Sequence, residues 1–263
     1  MRALQAAATG MMAQELNVQV ISNNIANLRT TGYKRQRAQF QDLLYENLRR
    51  AGSQTSEQGT NLPAGLALGS GVKTSSTPRV MSQGNLTSTE KTYDIAIRGE
   101  GFFRVRMPDG RTAYSRDGSF DLDNAGQIVT RDGYVLEPGI TIPANATAVT
   151  ISGQGVVQAT VSGQTAPTNV GQIQLSRFIN KVGLEAIGDN LFVETAASGQ
   201  ALDGPPSSDG FGNLQQAYLE EANVNAVTEI SALIAAQRAY EMNSKVVTAA
   251  DQMLSSTSQM FRG

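Results

Sequence analysis

Three chemically important side chains are missing from this 263-residue chain, which contains no cysteine, no histidine and no tryptophan. Without Cys there can be no disulfide and no thiol nucleophile. Without His there is no imidazole general base and no ordinary zinc site. We therefore expect no catalytic residue, no metal site and no bound cofactor.

The absence of Cys and His does not exclude glycoside hydrolases, because glycoside hydrolysis requires only Asp and Glu. Aromatic residues make up just 6% of the chain, which leaves little material for a cleft that stacks on sugars. A carboxylate-dependent glycan hydrolase stays as the enzyme alternative, and the expectation is a protein without enzymatic activity.

Charge and hydropathy argue against two kinds of partner. The chain has 21 basic and 23 acidic residues, a net charge of −2, which gives no electrostatic basis for binding nucleic acid. No run of 18 apolar residues is present, so we expect no membrane insertion. Residues 3–14 lack the continuous apolar core of a secretory signal. If the protein leaves the cytoplasm, we expect it to do so without signal cleavage.

The C-terminal residues carry two neighbouring helical stripes. From Ala239 to Met260, apolar or small residues recur at intervals of three and four, which is the spacing of a coiled-coil seam. A second stripe recurs every seven residues from Leu233 to Phe261. Neither Pro nor Gly interrupts the run between Asn223 and Arg262. A long helix over 223–263 is predicted, with more apolar surface than one partner helix can cover.

The N-terminus has a matching pattern. The three-and-four repeat runs from Leu4 to Leu28 and predicts a helix from about Arg2 to Ala26, ending where Asn residues favour caps and turns. We expect the two terminal helices to pair and their remaining stripes to contact other subunits. The predicted self-assembly residues are Leu4, Met11, Val18, Ile21, Ile25, Leu28, Leu233, Tyr240, Met242, Val246, Val247, Met253 and Leu254.

Between the helices the periodicity changes to two. Phe103, Val105 and Met107 alternate with Arg104 and Arg106, and Gly-containing turns follow at short intervals. The predicted fold is α+β: terminal helices that form a coiled-coil-like domain, and a central, mostly antiparallel β domain. The expected segments are an N-terminal helix over 1–32, a connecting segment over 33–85, the β domain over 86–198, a return linker over 199–222 and the C-terminal helix over 223–263.

The connecting segment has two notable parts. Lys34, Arg35 and Arg37 form a short basic cluster, which we expect to be a solvated face. Residues 51–77 contain five Gly, five Ser and four Thr and read as a loop. A loop of this length is uncommon without a function. We expect this insertion to lock neighbouring subunits together through Leu62, Pro63, Leu66 and Leu68.

Several motifs resemble the bacterial flagellar rod and hook protein family. The N-terminal motif Ser22, Asn23, Asn24 and Asn27, followed by Thr31, Gly32 and Tyr33, is similar to that family's signature. Segments 94–103 and 114–120 resemble its central motifs, and Asn223 to Asn225 with 237–241 and 251–254 resembles its closing helix. The resemblance spans essentially the whole chain. Length and the Gly/Ser-rich insertion are most similar to the distal-rod members.

The resemblance implies a structural function. Such subunits are exported by the flagellar type III apparatus and stack helically into a rigid hollow rod in the periplasm, which transmits torque from motor to hook and lets exported subunits pass. The implied partners are further copies of the chain, proximal rod and hook or hook-junction subunits, and the ring proteins around the rod. Phe40 and Leu44 resemble an export signal. The alternative within the family is a proximal rod or hook subunit.

Overall fold

The structure is a computed structural model that describes residues 2–52, 63–163 and 166–260. The chain forms two compact units. The first comprises the described parts of Met1–Ile25, Gln36–Pro78 and Asn225–Gly263, and the second comprises Ala26–Arg35 and the described parts of Arg79–Val224. A helix near each end and a central antiparallel β region confirm the α+β prediction.

Two long helices belong to the first unit. Helix α1 (Arg2–Ala26) has the predicted bounds, and helix α2 (Ala226–Met260) begins three residues later than expected. The later start follows from Asn225, whose side-chain Oδ1 accepts a hydrogen bond from the Thr228 N–H at 3.1 Å. A capping Asn of this kind satisfies an otherwise free donor of the first turn.

Contacts between these helices include two that indicate their register. Asn24 Nδ2 donates a hydrogen bond to Glu229 Oε2 at 3.1 Å. Gly10 lies so close to Asn243 that a Cβ atom at position 10 would be 2.8 Å from the Asn243 amide nitrogen. Gly10 and Asn24 are 14 residues apart, as are Glu229 and Asn243. Both contacts therefore fit a single antiparallel register.

The first unit also contains a β-ribbon in which two segments of the chain run antiparallel, each segment being divided into two short strands. Its strands are β1 (Gln39–Asp42), β2 (Tyr45–Arg49), β3 (Leu66–Gly69) and β4 (Val72–Ser76). Strand β1 pairs with β4 and β2 with β3, both antiparallel. The two pairs are continuous, because the Leu43 N–H donates to the Gly71 carbonyl and the Ser70 N–H donates to the Leu44 carbonyl. We call residues 39–49 and 66–76 the arm.

The arm corrects the expectation of a loop for residues 51–77, of which 51–52 and 63–77 are described. The high content of Gly, Ser and Thr suggested a loop, because composition alone does not show that a partner strand is available. Residues 39–49 supply the backbone hydrogen-bond partners that 66–76 need, so this segment forms strands despite its polar composition.

The second unit is built from sixteen strands among its described residues. They are β5 (Leu86–Ser88), β6 (Ile95–Arg98), β7 (Phe102–Arg106), β8 (Thr112–Ser115), β9 (Phe120–Leu122), β10 (Ile128–Thr130), β11 (Val135–Leu136), β12 (Ala146–Ile151), β13 (Val156–Val161), β14 (Thr168–Gln172), β15 (Leu175–Arg177), β16 (Glu185–Gly188), β17 (Leu191–Val193), β18 (Leu202–Gly204), β19 (Asn213–Gln216) and β20 (Tyr218–Glu220).

These strands form four antiparallel sheets. The largest has nine strands in the order β16-β17-β8-β7-β11-β10-β9, with β15 beside β7 and β18 beside β15. Strands β12, β13 and β14 form a three-stranded sheet. Strand β6 pairs with β19, and β5 pairs with β20.

The core of the second unit follows from the alternation in β7. Phe103 and Val105 point inward and are fully buried, and the Phe103 ring meets the Phe120 ring edge-on at 5.1 Å between centroids. Arg104 points outward, where it forms ion pairs with Glu137 and Asp203. A smaller aromatic cluster contains Phe102, Phe178 and Tyr114, and burial raises the pKa of Tyr114 to about 12.

Two sequence-based boundaries need correction. Residues 199–222, expected to be a linker, contain β18, β19 and β20, because these short segments complete sheets whose other strands lie far earlier in the chain. Leu28, expected on the helical stripe, lies beyond the end of α1 in a turn. There the Thr30 N–H donates to the Asn27 carbonyl.

Two further observations concern the described ranges. No helix in them is both long and apolar enough to cross a membrane. No group of three or more His, Cys, Asp or Glu side chains there is placed to hold a metal ion.

The close approach of Gly118 to β6 yields a stability prediction. A Cβ atom at position 118 would lie 1.7 Å from the Ile95 carbonyl oxygen, so Gly118→Ala must displace a core strand. We expect the free energy of unfolding in urea to fall by about 1–3 kcal/mol. The matched control is Gly153→Ala, because Gly153 also accepts a strand N–H while its Cβ would be 3.6 Å from the nearest atom. Equal stability of the two variants would contradict this packing.

Candidate functional site

Three charged side chains meet in the interior of the second unit. Lys34 Nζ lies 2.5 Å from Glu220 Oε1, and Arg116 Nη2 lies 2.7 Å from Glu220 Oε2. The side chains of Lys34, Arg116 and Glu220 are 2%, 5% and 0% exposed. We call these residues the ion triad.

Local backbone geometry brings the triad together. Lys34 lies two residues after Gly32, whose N–H donates to the Glu220 carbonyl at 2.7 Å. Gly32 has a φ of +68°, and a Cβ atom there would lie 2.6 Å from the Asp117 backbone nitrogen. Only glycine suits both the left-handed conformation and this close approach. The signature glycine therefore sets the path of Lys34 past Arg116.

The hydrogen bonds of the triad are extensively satisfied. Lys34 Nζ also donates to the Ser82 carbonyl at 2.9 Å. Glu220 Oε1 also accepts from the Gly84 N–H at 2.9 Å. Arg116 Nη1 donates to the Gly99 and Gly101 carbonyls at 2.9 and 2.6 Å. Donors engaged this fully are not available to bind an external anion, so the chemistry of the triad is that of a structural clamp.

Electrostatics make Glu220 the critical member. One carboxylate is the shared counter-ion of two buried cations. Burial lowers the pKa of Lys34 below its ordinary value, while the neighbouring Glu220 acts in the opposite direction. A buried charge that loses its partner is strongly destabilising. The second unit therefore depends on Glu220 more than on either cation alone.

The triad overturns one sequence-based expectation, that of a solvated basic face at residues 34–37. Arg37 is exposed, but Lys34 is buried. The local pattern held no signal for this burial, because Glu220 is 186 residues away in sequence. Glu220 and Arg116 were not identified from sequence for the same reason.

Two asparagines from the recognised motifs act as backbone clamps. In the second unit, Asn223 Oδ1 accepts from the Arg35 N–H at 2.7 Å, and its Nδ2 donates to the Val80 carbonyl at 2.8 Å. In the first unit, Asn24 Oδ1 accepts from the Gln36 N–H and its Nδ2 donates to the Gln36 carbonyl, both at 2.9 Å. Each amide thus pairs with backbone as a neighbouring strand would.

The other signature residues have varied surroundings. Ser22 and Asn23 are exposed at the end of α1. Asn27 Oδ1 accepts from the Thr30 hydroxyl at 3.1 Å, and the Thr31 carbonyl accepts from the Asn190 amide at 3.1 Å. Tyr33 is buried.

The predicted self-assembly residues divide by burial. On α1, Ile21 is buried, and Leu4, Met11, Val18 and Ile25 are half-buried. On α2, Leu233 and Val247 are half-buried, whereas Tyr240, Met242, Val246, Met253 and Leu254 are exposed. The large apolar residues of α2 are therefore mostly uncovered.

The buried stripe of α2 was missed from sequence. It consists of Glu229, Ala236 and Ala250, with the half-buried Asn243 between the two alanines, at steps of seven residues. Small and polar side chains give no signal in a search for apolar repeats. Their seven-residue spacing was the available clue.

The insertion residues lie on the outside of the first unit. Pro63, Leu66 and Leu68 are exposed, and Leu62 lies outside the described residues. Of the two residues resembling an export signal, Phe40 is half-buried on β1 and Leu44 is 87% exposed.

Comparisons with known proteins agree with this arrangement. Three family profiles match: "Flagella basal body rod protein" over residues 4–34, "Flagellar hook protein FlgE/F/G D1 domain" over 96–159 and "Flagellar basal body rod FlgEFG protein C-terminal" over 215–260. The chain is 58% identical over 260 residues to the flagellar basal-body rod protein FlgG of Caulobacter vibrioides, covering 99% of both chains. The protein of the same name in Borreliella burgdorferi is 46% identical over 100% of this chain and 99% of the relative, and that of Bacillus subtilis is 37% identical over 97% of both.

This chain belongs to the flagellar basal-body rod family. Membership confirms the resemblance seen in the sequence motifs. The protein is accordingly a structural rod subunit and not an enzyme, which removes the glycan hydrolase alternative.

Each family-matched segment contributes one member of the ion triad. Lys34 closes the first segment, Arg116 lies in the second and Glu220 lies in the third. The triad thus joins, within the second unit, one residue from each of the three segments by which the rod family is recognised.

The shared carboxylate predicts an order of severity for two substitutions. Glu220→Gln leaves two buried cations without a counter-charge, and we expect the free energy of unfolding to fall by about 3–5 kcal/mol. Lys34→Met leaves the Arg116–Glu220 pair intact, so we expect a smaller loss, of about 1–3 kcal/mol. Urea denaturation followed by circular dichroism measures both. A Lys34→Met variant less stable than Glu220→Gln would show that the triad is not centred on Glu220.

Proposed function

We propose that the protein polymerises helically into the distal rod, a rigid hollow drive shaft that transmits torque from motor to hook and lets exported subunits pass. The observation that carries this proposal is the uncovered apolar surface of α2. Nine of its large apolar side chains are exposed: Val227, Ile230, Ile234, Tyr240, Met242, Val246, Met253, Leu254 and Met260.

The energetics of this surface favour assembly. Complete burial of one such side chain contributes about 1.5–3 kcal/mol. A large amount of exposed apolar surface on one helix is unusual for a monomer and is typical of an interaction surface. Copies of the same chain that cover one another's α2 would bury this surface repeatedly along a filament. A hydrophobic contact repeated in this way is consistent with a shaft that carries torque.

Pairing of α1 with α2 as an antiparallel coiled coil is the second part of the proposal. The two helix contacts are separated by two heptads on each helix, as one register requires. Gly10, Ala236 and Ala250 permit a close backbone approach. The buried Asn24–Glu229 hydrogen bond is of the polar kind that fixes register in coiled coils. Small residues would then face the partner helix and large ones would face other subunits.

The arm is the proposed lock between neighbouring subunits. It carries five exposed large hydrophobic residues: Leu44, Tyr45, Leu48, Leu66 and Leu68. An isolated two-stranded ribbon is only marginally stable in water. Packing of its leucines on a neighbouring copy would stabilise the ribbon and cross-brace the filament, which would make the rod stiff.

Location and further partners follow from the same function. We place the rod in the periplasm, after type III export without signal cleavage, with Phe40 and Leu44 as the export signal. Proximal rod subunits and hook or hook-junction subunits would adjoin the two ends of the distal rod, and ring proteins would surround it. A proximal rod or hook subunit is the alternative assignment. It is less favoured because full-length relatives at 46–58% identity carry the basal-body rod name FlgG.

A single charge at an exposed apolar position of α2 tests the assembly proposal. We expect Leu254→Asp to abolish rods in isolated basal bodies viewed by electron microscopy, because a carboxylate would be buried between copies without a partner. The monomer should keep its far-ultraviolet circular dichroism, since Leu254 is exposed in the single chain. The matched control is Gln252→Asp, which places the same charge two residues away on an exposed polar position. Normal rods with Leu254→Asp would refute the proposal.

A second test concerns the arm. We expect the double substitution Leu66→Asn and Leu68→Asn to leave rods that are more flexible or less regular in length, because the arm loses the apolar groups that would pack on a neighbour. Ser75→Asn, at an exposed polar position of β4, serves as the control. Rod curvature and length are read from electron micrographs. Unchanged rods in the double variant would rule out the locking role of Leu66 and Leu68.

A further inference from the structure

A cleft in the second unit holds a half-buried arginine between two aromatic rings. The Arg79 guanidinium carbon lies 5.5 Å from the centroid of the Phe192 ring and 6.0 Å from that of Tyr33. The cleft has a volume of about 230 Å³, and its lining includes Ala186, Asp189 and Asn190. This volume exceeds that of several water molecules at about 30 Å³ each, so a further side chain can enter.

Arg79 has no carboxylate partner among the described residues of its own chain. Asp189 lines the same cleft but does not form an ion pair with Arg79. Among the described residues, the guanidinium forms one hydrogen bond, a long contact of 3.5 Å from Nη1 to the Lys34 carbonyl. Burial lowers the pKa of Arg79, while the neighbouring Tyr33 acts in the opposite direction. By contrast, the partly buried Arg104 has two carboxylate partners.

The stacking defines what the cleft can recognise. A guanidinium held against aromatic rings loses little further freedom on binding and keeps its in-plane N–H donors available. Those donors form a fork that fits a carboxylate through two parallel hydrogen bonds. A cation that is partly desolvated and unpaired gains more from such a partner than a solvated one.

We infer that Arg79 receives a carboxylate side chain from a second copy of the chain. This inference rests on the proposed polymer, in which every copy can both offer a cleft and supply an acid to its neighbour. Exposed carboxylates without an ion-pair partner among the described residues are present on the second unit, namely Glu90, Asp132, Glu185, Asp209 and Glu221. Arg79 is therefore a subunit-contact residue whose counter-ion arrives on assembly.

The first test compares substitutions at position 79 in cells that express the full chain as their only copy. We expect Arg79→Met to reduce rods per cell at least tenfold, and Arg79→Lys to have an intermediate effect because it keeps the charge but not the fork. Arg111→Met, at an exposed arginine paired only with Asp109, is the control for loss of one positive charge. The thermal midpoint of purified Arg79→Met monomer should be unchanged or higher, since an unpaired, partly buried cation is removed.

Two results of this test would overturn the inference. One is normal rod number with Arg79→Met. The other is a drop in monomer stability that accounts for the loss of rods, which would make Arg79 a packing residue of its own chain. Failure of the unsubstituted protein to form rods would instead refute the proposed function.

The second test identifies the partner. Because the chain contains no cysteine, Ala186→Cys at the exposed edge of the cleft can carry a single photo-cross-linker. We expect a cross-link within assembled rods to an acidic segment of a second copy, found by mass spectrometry. Replacing Arg79 by an acidic residue, or the partner acid by Arg, should each abolish assembly. The double variant that carries both replacements should assemble again. No cross-link between copies, or a cross-link only to a different protein, would overturn the assignment.

Discussion

One buried carboxylate shared by two buried cations is the constraint on which the second unit depends. Glu220 is held by Lys34 and Arg116 through its two carboxylate oxygens, and its backbone carbonyl accepts a hydrogen bond from Gly32. Charged groups so deeply buried are tolerated only when they are paired and hydrogen-bonded. This requirement specifies how residues 26–35, the central strands and the strand before α2 must come together. A hydrophobic core alone would tolerate more than one such arrangement.

The first unit shows the opposite distribution of surface. The fully buried side chains of α2 are small or polar, whereas most of its large apolar residues are exposed. The arm repeats this pattern, with leucines on an exposed ribbon. A chain organised in this way leaves much of the hydrophobic surface of its first unit exposed. This division suits a structural polymer subunit. The second unit has a fully packed core, whereas the first unit has apolar surface that its own chain does not cover.

Prediction from sequence succeeded where the signal was local and repetitive. The three-and-four repeat identified α1, and the alternation around Phe103 identified a buried antiparallel strand, because both patterns arise from the geometry of one element. It failed at Lys34, since a lysine in a basic cluster looks solvated until its partner from residue 220 is known. It also failed for residues 66–76 and 199–222, whose strands exist because other strands lie beside them. The buried stripe of α2 was missed for a different reason: a search for large apolar side chains does not detect alanine, asparagine and glutamate.

The sequence by itself determined the class of molecule: two long helices around a β region, no histidine or cysteine, and motifs of the flagellar rod family. These properties depend on composition and on short-range periodicity. The tertiary structure alone decided which face of α2 is covered, that Lys34 is buried, and that Arg79 lacks a carboxylate partner among the described residues of its own chain. Each of these depends on groups distant in sequence, and a side chain's burial and charge balance are set by its neighbours in space rather than along the chain.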